Sequence, residues 1–157
     1  MRLEYFELID RIVDLNLTDK TIRVEAQVPT ESTIFENHFP GFPLMPGVLL
    51  CEAMAQTSGW LIIGLEKFER MPFLAALREV KFRNFVRPGQ KLALSARLTH
   101  DGSGFTVAEA KAEIDGRMVC EATITFRLVP FPSPKLSDAM KAFGKKIDFP
   151  FGAIAHD

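Results

Sequence analysis

One segment in the first half of the chain is apolar on nearly every helical face. Residues 48–67 form the only long stretch with helical character, so a helix there must be buried on most sides. A membrane span is the alternative, but the segment is interrupted by polar residues at Glu52, Gln56, Thr57 and Ser58. Because a charge at the centre of a span costs about 3 kcal/mol, the pattern favours the core helix of a folded domain.

The other regular segments have the alternating pattern of strands. Residues 12–17 and 21–28 alternate apolar and polar side chains around a short turn, which predicts a hairpin. Further strand-like segments follow at residues 72–85, 92–98, 105–114 and 118–128. A single helix must then cover one face of five or six antiparallel strands. The sequence therefore predicts an α+β hotdog fold, in which a curved antiparallel sheet wraps around one long central helix.

The pattern changes after residue 129. Residues 1–129 are predicted to form the hotdog domain, and residues 130–157 a C-terminal extension that packs on this domain or on a neighbouring protomer. The extension starts with a proline-rich linker and continues as a short amphipathic helix with Ser137 as a candidate N-cap. The apolar positions of this helix are Leu136, Met140 and Phe143.

Charge and cysteine content argue against several classes of function. The 19 basic and 20 acidic residues give a net charge of −1, so no overall field attracts nucleic acid or a membrane surface. Cys51 and Cys120 fall at apolar positions without the spacing of a metal site. Buried, reduced thiols and an N-terminal segment without an apolar signal core indicate a cytoplasmic protein. Neither a metal nor a redox cofactor is expected.

One histidine lies in the stiffest part of the chain. Residues 38–47 read His-Phe-Pro-Gly-Phe-Pro-Leu-Met-Pro-Gly, so three prolines constrain the loop that follows His38. Because histidine titrates near neutral pH, His38 is the candidate base. The alternative is a structural role, in which the ring only hydrogen-bonds to hold the loop. His100 is expected to be a turn residue and His156 a solvated tail residue.

A carboxylate lies in the first turns of the apolar helix. Glu52 and Gln56 are four residues apart and share a helix face. A carboxylate in so apolar a segment needs a partner. Glu52 is therefore either an acid–base group that works with His38 or one side of a structural hydrogen bond.

The start of the same helix offers backbone donors. Pro46 and Gly47 place the helix N-terminus beside the His38 loop, where the free amides of Gly47 and Val48 can polarise a carbonyl group. Phosphate binding is the rival use of a helix N-terminus, but the chain has no Walker-type loop.

The two motifs together resemble those of a known enzyme family. The order His-Phe-Pro-x-x-Pro-x-Met-Pro-Gly from His38, followed by Glu-Ala-Met-Ala-Gln from Glu52, resembles the (3R)-hydroxyacyl-acyl-carrier-protein dehydratases of type II fatty acid synthesis, the FabZ-like hotdog enzymes. The resemblance covers about residues 5–128. It implies a hydro-lyase that converts a (3R)-hydroxyacyl group to a trans-2-enoyl group on an acyl carrier protein, without metal or redox cofactor.

The resemblance also implies a role for each motif residue. His38 would take the C2 proton, and Glu52 of the other protomer would assist loss of the C3 hydroxyl as water. The amides of Gly47 and Val48 would bind the thioester oxygen, and Gln56 would hold Glu52 in place. Glutamate at this position, in place of aspartate, resembles the branch of the family that only dehydrates.

Partners and substrate contacts follow from the same resemblance. The resemblance implies a homodimer with composite active sites, either alone or as part of a trimer of dimers. Supporting loop residues are Pro40 and Pro46, and the candidates for the acyl tunnel are Phe39, Trp60, Phe73 and Leu74. A basic rim for the acidic carrier protein is predicted at Arg78, Lys81, Arg83, Arg87 and Lys91, although an ordinary solvated strand face explains the same residues.

Three departures from the family pattern suggest a specialised paralogue. Asn37 replaces the usual glycine before the histidine, and residues 72–74 occupy the place of a tyrosine-containing gate. Residues 130–157 lie beyond the usual end of the family. We expect a preference for long acyl chains or for a dedicated carrier protein. The alternatives are a hotdog acyl thioesterase and a non-catalytic acyl-binding subunit.

Overall fold

The computed structural model describes residues 1–155 and has six strands and three α-helices in that range. The strands are β1 (Arg11–Asn16), β2 (Thr21–Gln27), β3 (Arg70–Phe82), β4 (Lys91–Gly102), β5 (Phe105–Ile114) and β6 (Arg117–Pro130). The helices are α1 (Thr33–Asn37), α2 (Gly47–Leu65) and α3 (Pro134–Lys146), with 3₁₀ turns at Leu3–Tyr5 and Phe151–Ile154. The prediction for His156 lies outside the described residues.

All six strands belong to one antiparallel sheet. Their order is β1-β2-β4-β5-β6-β3, so β1 and β3 are the two edges. Alternate residues of the central strands are buried, as the pattern Leu92, Leu94, Ala96 and Leu98 of β4 shows. The predicted hairpin and the predicted α+β architecture of a curved sheet around one long helix are confirmed.

Helix α2 crosses one face of this sheet and contacts β2, β3, β4, β5 and β6. Its length and apolarity would suit a membrane span, but 78% of that segment is buried inside the fold. The buried hydroxyls of Thr57 and Ser58 donate to the carbonyls four residues earlier, both at 2.9 Å, so they need no other partner. The helix ends two residues before the predicted limit, and Lys67 and Phe68 then adopt positive φ.

A short helix precedes the His38 loop, and the sequence pattern did not predict it. Ser32 is the N-cap of α1 and accepts a hydrogen bond from the amide of Ile34 at 3.1 Å. The Glu4 carboxylate accepts from the hydroxyl of Ser32 at 2.5 Å and from the amide of Thr33 at 2.9 Å. These bonds lower the pKa of Glu4, chiefly through the Ser32 hydroxyl. The N-terminal segment thus fixes the start of α1.

The C-terminal helix begins one turn earlier than predicted. Ser133 is its N-cap and accepts from the amide of Leu136 at 3.2 Å, while Pro134 occupies the first turn. The predicted N-cap, Ser137, lies inside α3, so that prediction is wrong. The pair Ser133-Pro134 supplies both the cap and the fixed φ of a helix start. The division of the chain at residue 129 stays a prediction.

The residues after α3 return to the domain. The amide of Ile12 in β1 donates to the carbonyl of Ile147 at 2.8 Å. Ile147 is 1% exposed and Phe149 is 4% exposed. Phe149 lies in an aromatic cluster with ring centroids 5.7 Å from Trp60 and 5.3 Å from Phe68. Part of the extension is therefore built into the hydrophobic core.

Candidate active site

The His38 ring is held by the main chain of its own loop. Its Nδ1 lies 3.0 Å from the carbonyl oxygen of Leu44, and the amide of Leu44 donates to the His38 carbonyl at 2.8 Å. A carbonyl oxygen only accepts hydrogen bonds, so Nδ1 carries the proton in the neutral ring. The lone pair is then on Nε2. This is the arrangement of a general base whose tautomer is fixed by its support.

A tight turn explains the prolines that follow. Phe39 and Phe42 exchange two backbone hydrogen bonds, at 3.0 and 2.9 Å, with Pro40 and Gly41 between them. Proline presets φ for the first central position, and Gly41 has φ of +73°, which glycine adopts without strain. The predicted supporting residue Pro40 therefore shapes this turn. Phe39 is half exposed and stacks on the His38 ring, with centroids 4.1 Å apart.

The N-terminus of α2 presents unpaired donors. Pro46 is the N-cap and supplies no side-chain hydrogen bond, while its carbonyl accepts from the amide of Leu49 at 2.9 Å. Within residues 1–155, the amides of Gly47 and Val48 have no hydrogen-bond acceptor. A Cβ added to Gly47 would lie 2.8 Å from a ring carbon of Phe82. Glycine at 47 thus lets this ring lie directly against the helix end.

Glu52 is half-buried and is held by Gln56. The Gln56 Nε2 donates to a carboxylate oxygen of Glu52 at 3.1 Å and to the carbonyl of Phe6 at 2.7 Å. The Gln56 Oε1 accepts from the amide of Leu8 at 3.2 Å, which sets the orientation of the amide group. The N-terminal segment therefore orients Gln56, and Gln56 orients one oxygen of Glu52. The sequence pattern predicted the Glu52–Gln56 pair but not these backbone partners.

Glu52 opens into a cavity of about 440 Å³. This cavity, here called the Glu52 cavity, is lined by the N-terminal segment, α2, β3, β6 and α3. Two predicted tunnel residues, Trp60 and Leu74, line it. Phe39 and Phe73 do not. Phe73 is 44% exposed and lies outside the lining, although its strand neighbours Pro72 and Leu74 belong to it.

Sequence reasoning missed the C-terminal contribution to this cavity. Met140 and Phe143 of α3 form part of its lining. Their helical spacing predicted an apolar helix face but carried no information about which surface that face covers.

His38 and Glu52 do not meet within one chain. Among residues 1–155, no hydrogen bond or ion pair joins them, and His38 is absent from the lining of the Glu52 cavity. Within one chain, the candidate base and the candidate acid are therefore not joined. A complete acid–base pair requires either a movement or a second copy of the chain.

The predicted basic rim is only partly available for an anionic partner. Arg78 is exposed and has no ion-pair partner among the described residues, and the Arg87 guanidinium lies 5.5 Å from the centre of the Phe42 ring. The others form ion pairs, namely Lys81–Glu121 at 4.0 Å, Arg83–Glu121 at 2.8 Å and Lys91–Glu25 at 3.1 Å. Arg83 lowers the pKa of Glu121.

A larger cavity of about 610 Å³ contains none of the predicted catalytic or tunnel residues. It lies on the sheet face away from α2, and charged side chains such as Arg23 and Glu109 line it. Arg97 and Glu109 pair there at 2.9 Å. Its mixed charge offers neither a dry pocket nor an acid–base pair of the kind that His38 and Glu52 suggest.

The cysteines are buried and chemically quiet. Cys51 and Cys120 are free thiols. Burial and the neighbouring Cys51 raise the pKa of Cys120 to about 12, and burial raises the pKa of Cys51. In the described part of the chain, no three His, Cys, Asp or Glu side chains form a group that would hold a metal ion.

Comparison with known proteins places these features in one family. The model of the FabA-like domain matches residues 2–123. The chain belongs to the FabA-like family. A 3-hydroxyacyl-acyl-carrier-protein dehydratase FabZ from Streptococcus equi subsp. zooepidemicus is 40% identical over 120 residues, which cover 76% of this chain and 84% of that protein. The FabZ of Streptococcus mutans is 38% identical over 124 residues, 77% of this chain and 86% of that protein.

Solved structures support the fold of this FabA-like chain. A hypothetical thioesterase from Streptococcus pneumoniae, crystallised with coenzyme A, aligns with a TM-score of 0.62 at 18% identity. The alignment covers 78% of this chain and 88% of that one. A conserved protein from Pseudomonas aeruginosa aligns with a TM-score of 0.63 at 22% identity, over 80% and 91% of the two chains. At these identities the likeness shows the hotdog fold alone.

Proposed function

We propose that this FabA-like protein dehydrates (3R)-hydroxyacyl-acyl-carrier-protein to the trans-2-enoyl product in type II fatty acid synthesis. One observation carries the proposal: the Leu44 carbonyl holds His38 as a base with a free Nε2. The similarity to dehydratases named FabZ, over most of both chains, supports the same reaction. The proposal includes no redox cofactor, because an elimination of water changes no oxidation state overall, and no metal, because His38, Glu52 and the helix amides would supply the base, the acid and the oxyanion donors.

The proposed reaction uses three groups. The Nε2 of His38 takes a proton from C2 of the substrate, and the electron pair moves into the thioester carbonyl. The amides of Gly47 and Val48 stabilise the negative charge on that oxygen. A carboxyl group, Glu52 of the partner subunit, donates a proton to the C3 hydroxyl, which leaves as water as the C2–C3 double bond forms. Return of the His38 proton to the carboxylate completes the cycle.

A homodimer supplies the missing pairing of base and acid. Within residues 1–155, β3 is an edge strand of 13 residues that pairs with β6 alone, and its exposed apolar side chains include Phe73, Leu77 and Phe82. A long apolar edge is a template for pairing with another strand. Two-fold pairing of this edge would bring the His38 of one copy towards the Glu52 of the other. A trimer of such dimers, a cytoplasmic location and an acyl carrier protein as substrate carrier belong to the same proposal.

The test is mass spectrometry of a 3-hydroxyacyl-carrier protein incubated with the protein. A product lighter by one water is expected, and free carrier thiol would indicate a thioesterase instead. His38→Ala and Glu52→Gln should each lower the rate by about 10²–10⁴-fold. The matched controls are His100→Ala and Glu69→Gln, which change exposed residues of the same types.

The outcomes separate the candidate functions. Loss of activity in both site variants, with both controls active, supports the proposed roles. Turnover of His38→Ala at the wild-type rate would remove His38 as the base. No change in any carrier-bound substrate would contradict the dehydratase and favour a non-catalytic acyl-binding subunit.

A further inference from the structure

The last helix of the chain forms one wall of the Glu52 cavity. Met140 and Phe143 of α3 line this space together with Gly59 and Trp60 of α2, and Glu52 lies in the same lining. Met140 and Phe143 are half-buried, which is typical of side chains that line a cavity. The wall that they form is apolar, which suits a hydrocarbon chain.

Several contacts fix α3 against this wall. The Phe143 ring stacks on Trp60 with centroids 6.0 Å apart and an interplanar angle of 21°. A Cβ added to Gly144 would lie 3.0 Å from the Phe151 ring and 3.3 Å from the Trp60 ring, so glycine permits the close approach of the helix. The Lys146 ammonium pairs with the Glu7 carboxylate at 2.7 Å, and it lowers the pKa of Glu7. The wall is therefore a fixed part of the fold.

This wall lies outside the part of the chain that carries the family match. The match to the FabA-like domain ends at residue 123, whereas α3 spans Pro134–Lys146. Glu52 thus lies within the matched residues, whereas α3, which borders the same cavity, lies after them. The family match accordingly assigns no role to Met140 or Phe143.

We propose that Met140 and Phe143 are specificity-determining residues that set the longest acyl chain the Glu52 cavity accepts. The proposal rests on the function proposed above, because it assumes an acyl chain beside Glu52. Each methylene buried in an apolar pocket raises affinity about fourfold. Affinity should therefore rise with chain length until the chain meets α3, and then stop rising or fall because the wall is packed in place.

The first experiment measures binding without turnover. The probes are alkyl-pantetheine thioethers of increasing, even-numbered chain length, which can neither lose water nor be hydrolysed. Trp60 is the only tryptophan of the chain and lines the cavity, so its fluorescence reports binding. Met140→Ala is the main variant, because Phe143 stacks on the reporter ring and its removal would change the signal directly.

Two variants should shift the chain-length limit in opposite directions. Met140→Ala shortens the wall and should move the optimum to a longer chain. Gly59→Ala adds a methyl group to the α2 part of the lining and should move the limit to a shorter chain; its added Cβ would lie 3.7 Å from Pro72, an ordinary contact that the fold accommodates. Lys141→Ala, an exposed change on α3 next to Met140, is the matched control and should keep the wild-type limit.

The second experiment repeats the length series with 3-hydroxyacyl-carrier protein and measures kcat/KM. A shift of the chain-length limit in both experiments supports the assignment of Met140 and Phe143 as the residues that set it. An unchanged length limit in Met140→Ala overturns it, even if Gly59→Ala shifts the limit and the protein is an active dehydratase. If the limit shifts in the binding experiment while no substrate loses water, the wall stands for acyl binding and the proposed dehydration fails.

Discussion

Replacing Phe149 by alanine should destabilise the whole domain. Phe149 is 4% exposed, and its ring centroid lies 5.7 Å from Trp60, 5.3 Å from Phe68 and 4.9 Å from Phe151. Phenylalanine-to-alanine changes in a core cost about 3–5 kcal/mol, because the transfer free energy is lost and a cavity remains. For a chain of this length, about 2–4 °C of melting temperature are lost per kcal/mol. Phe149→Ala should therefore lower the Tm by about 6–20 °C.

The assay is thermal unfolding followed by circular dichroism at a fixed protein concentration, since subunit association changes the apparent Tm. Phe105→Ala is the matched control, because Phe105 lies at the β4–β5 hairpin and is 44% exposed. The control should lose much less stability. A loss below about 1 kcal/mol in Phe149→Ala would refute the assignment of this residue to the core.

Measuring the loss of Tm at two protein concentrations distinguishes an extension that packs within its own chain from one that packs on a neighbouring protomer. If Phe149 packs within its own chain, as the described contacts show, the loss of Tm should be the same at low and high concentration. If the extension packed on a neighbouring protomer in solution, the loss would grow or shrink with dilution.

Three further changes test the surroundings of the site. The Cys120 pKa of about 12 leaves a thiolate fraction of only about 10⁻⁴ at pH 8, so iodoacetamide should label Cys120 only after unfolding; labelling of the folded protein at the rate of a free thiol would contradict its burial. Gly47→Ala should lower kcat by up to about 10²-fold, because the added Cβ clashes with the Phe82 ring. The double variant Gly47→Ala/Phe82→Ala should recover part of that activity, and no recovery would argue against the clash. Gln56→Leu removes the donor to Glu52 and should lower kcat by up to about 10²-fold with little change in KM; a change in KM alone would assign Gln56 to substrate binding.

Residues that follow a local rule could be predicted from the sequence. Helix α2 is apolar on nearly all faces, and the polar residues Glu52 and Gln56 within it favour a core position over a membrane span. The strands could be predicted from the segments that alternate apolar and polar residues, because successive side chains of a strand point to opposite faces. The pair Glu52 and Gln56 could be predicted for the same reason, since residues four apart share a helix face.

Contacts between distant parts of the chain could not be predicted in this way. The spacing of Met140 and Phe143 indicates an apolar face, but the surface that covers it is set by tertiary packing. The backbone partners of Gln56 come from Phe6 and Leu8, about 50 positions away in the sequence. Ser137 was the wrong N-cap because Ser133, followed by proline, competes for the same helix start and fits it better.

The C-terminal extension packs on α2 at a distance from Glu52, so a change in the extension can affect stability without affecting the reaction. Gly47 and Glu52 lie in the first two turns of the helix, whereas Trp60, which contacts Phe143 and Phe149, lies eight residues beyond Glu52. At 1.5 Å per residue, the extension acts about 12 Å along the helix from the candidate acid. A change at Phe149 should therefore lower stability without lowering kcat for short acyl chains, as long as the assay temperature lies below the Tm of the variant. Loss of kcat in fully folded Phe149→Ala would show instead that packing at the far end of α2 positions Glu52.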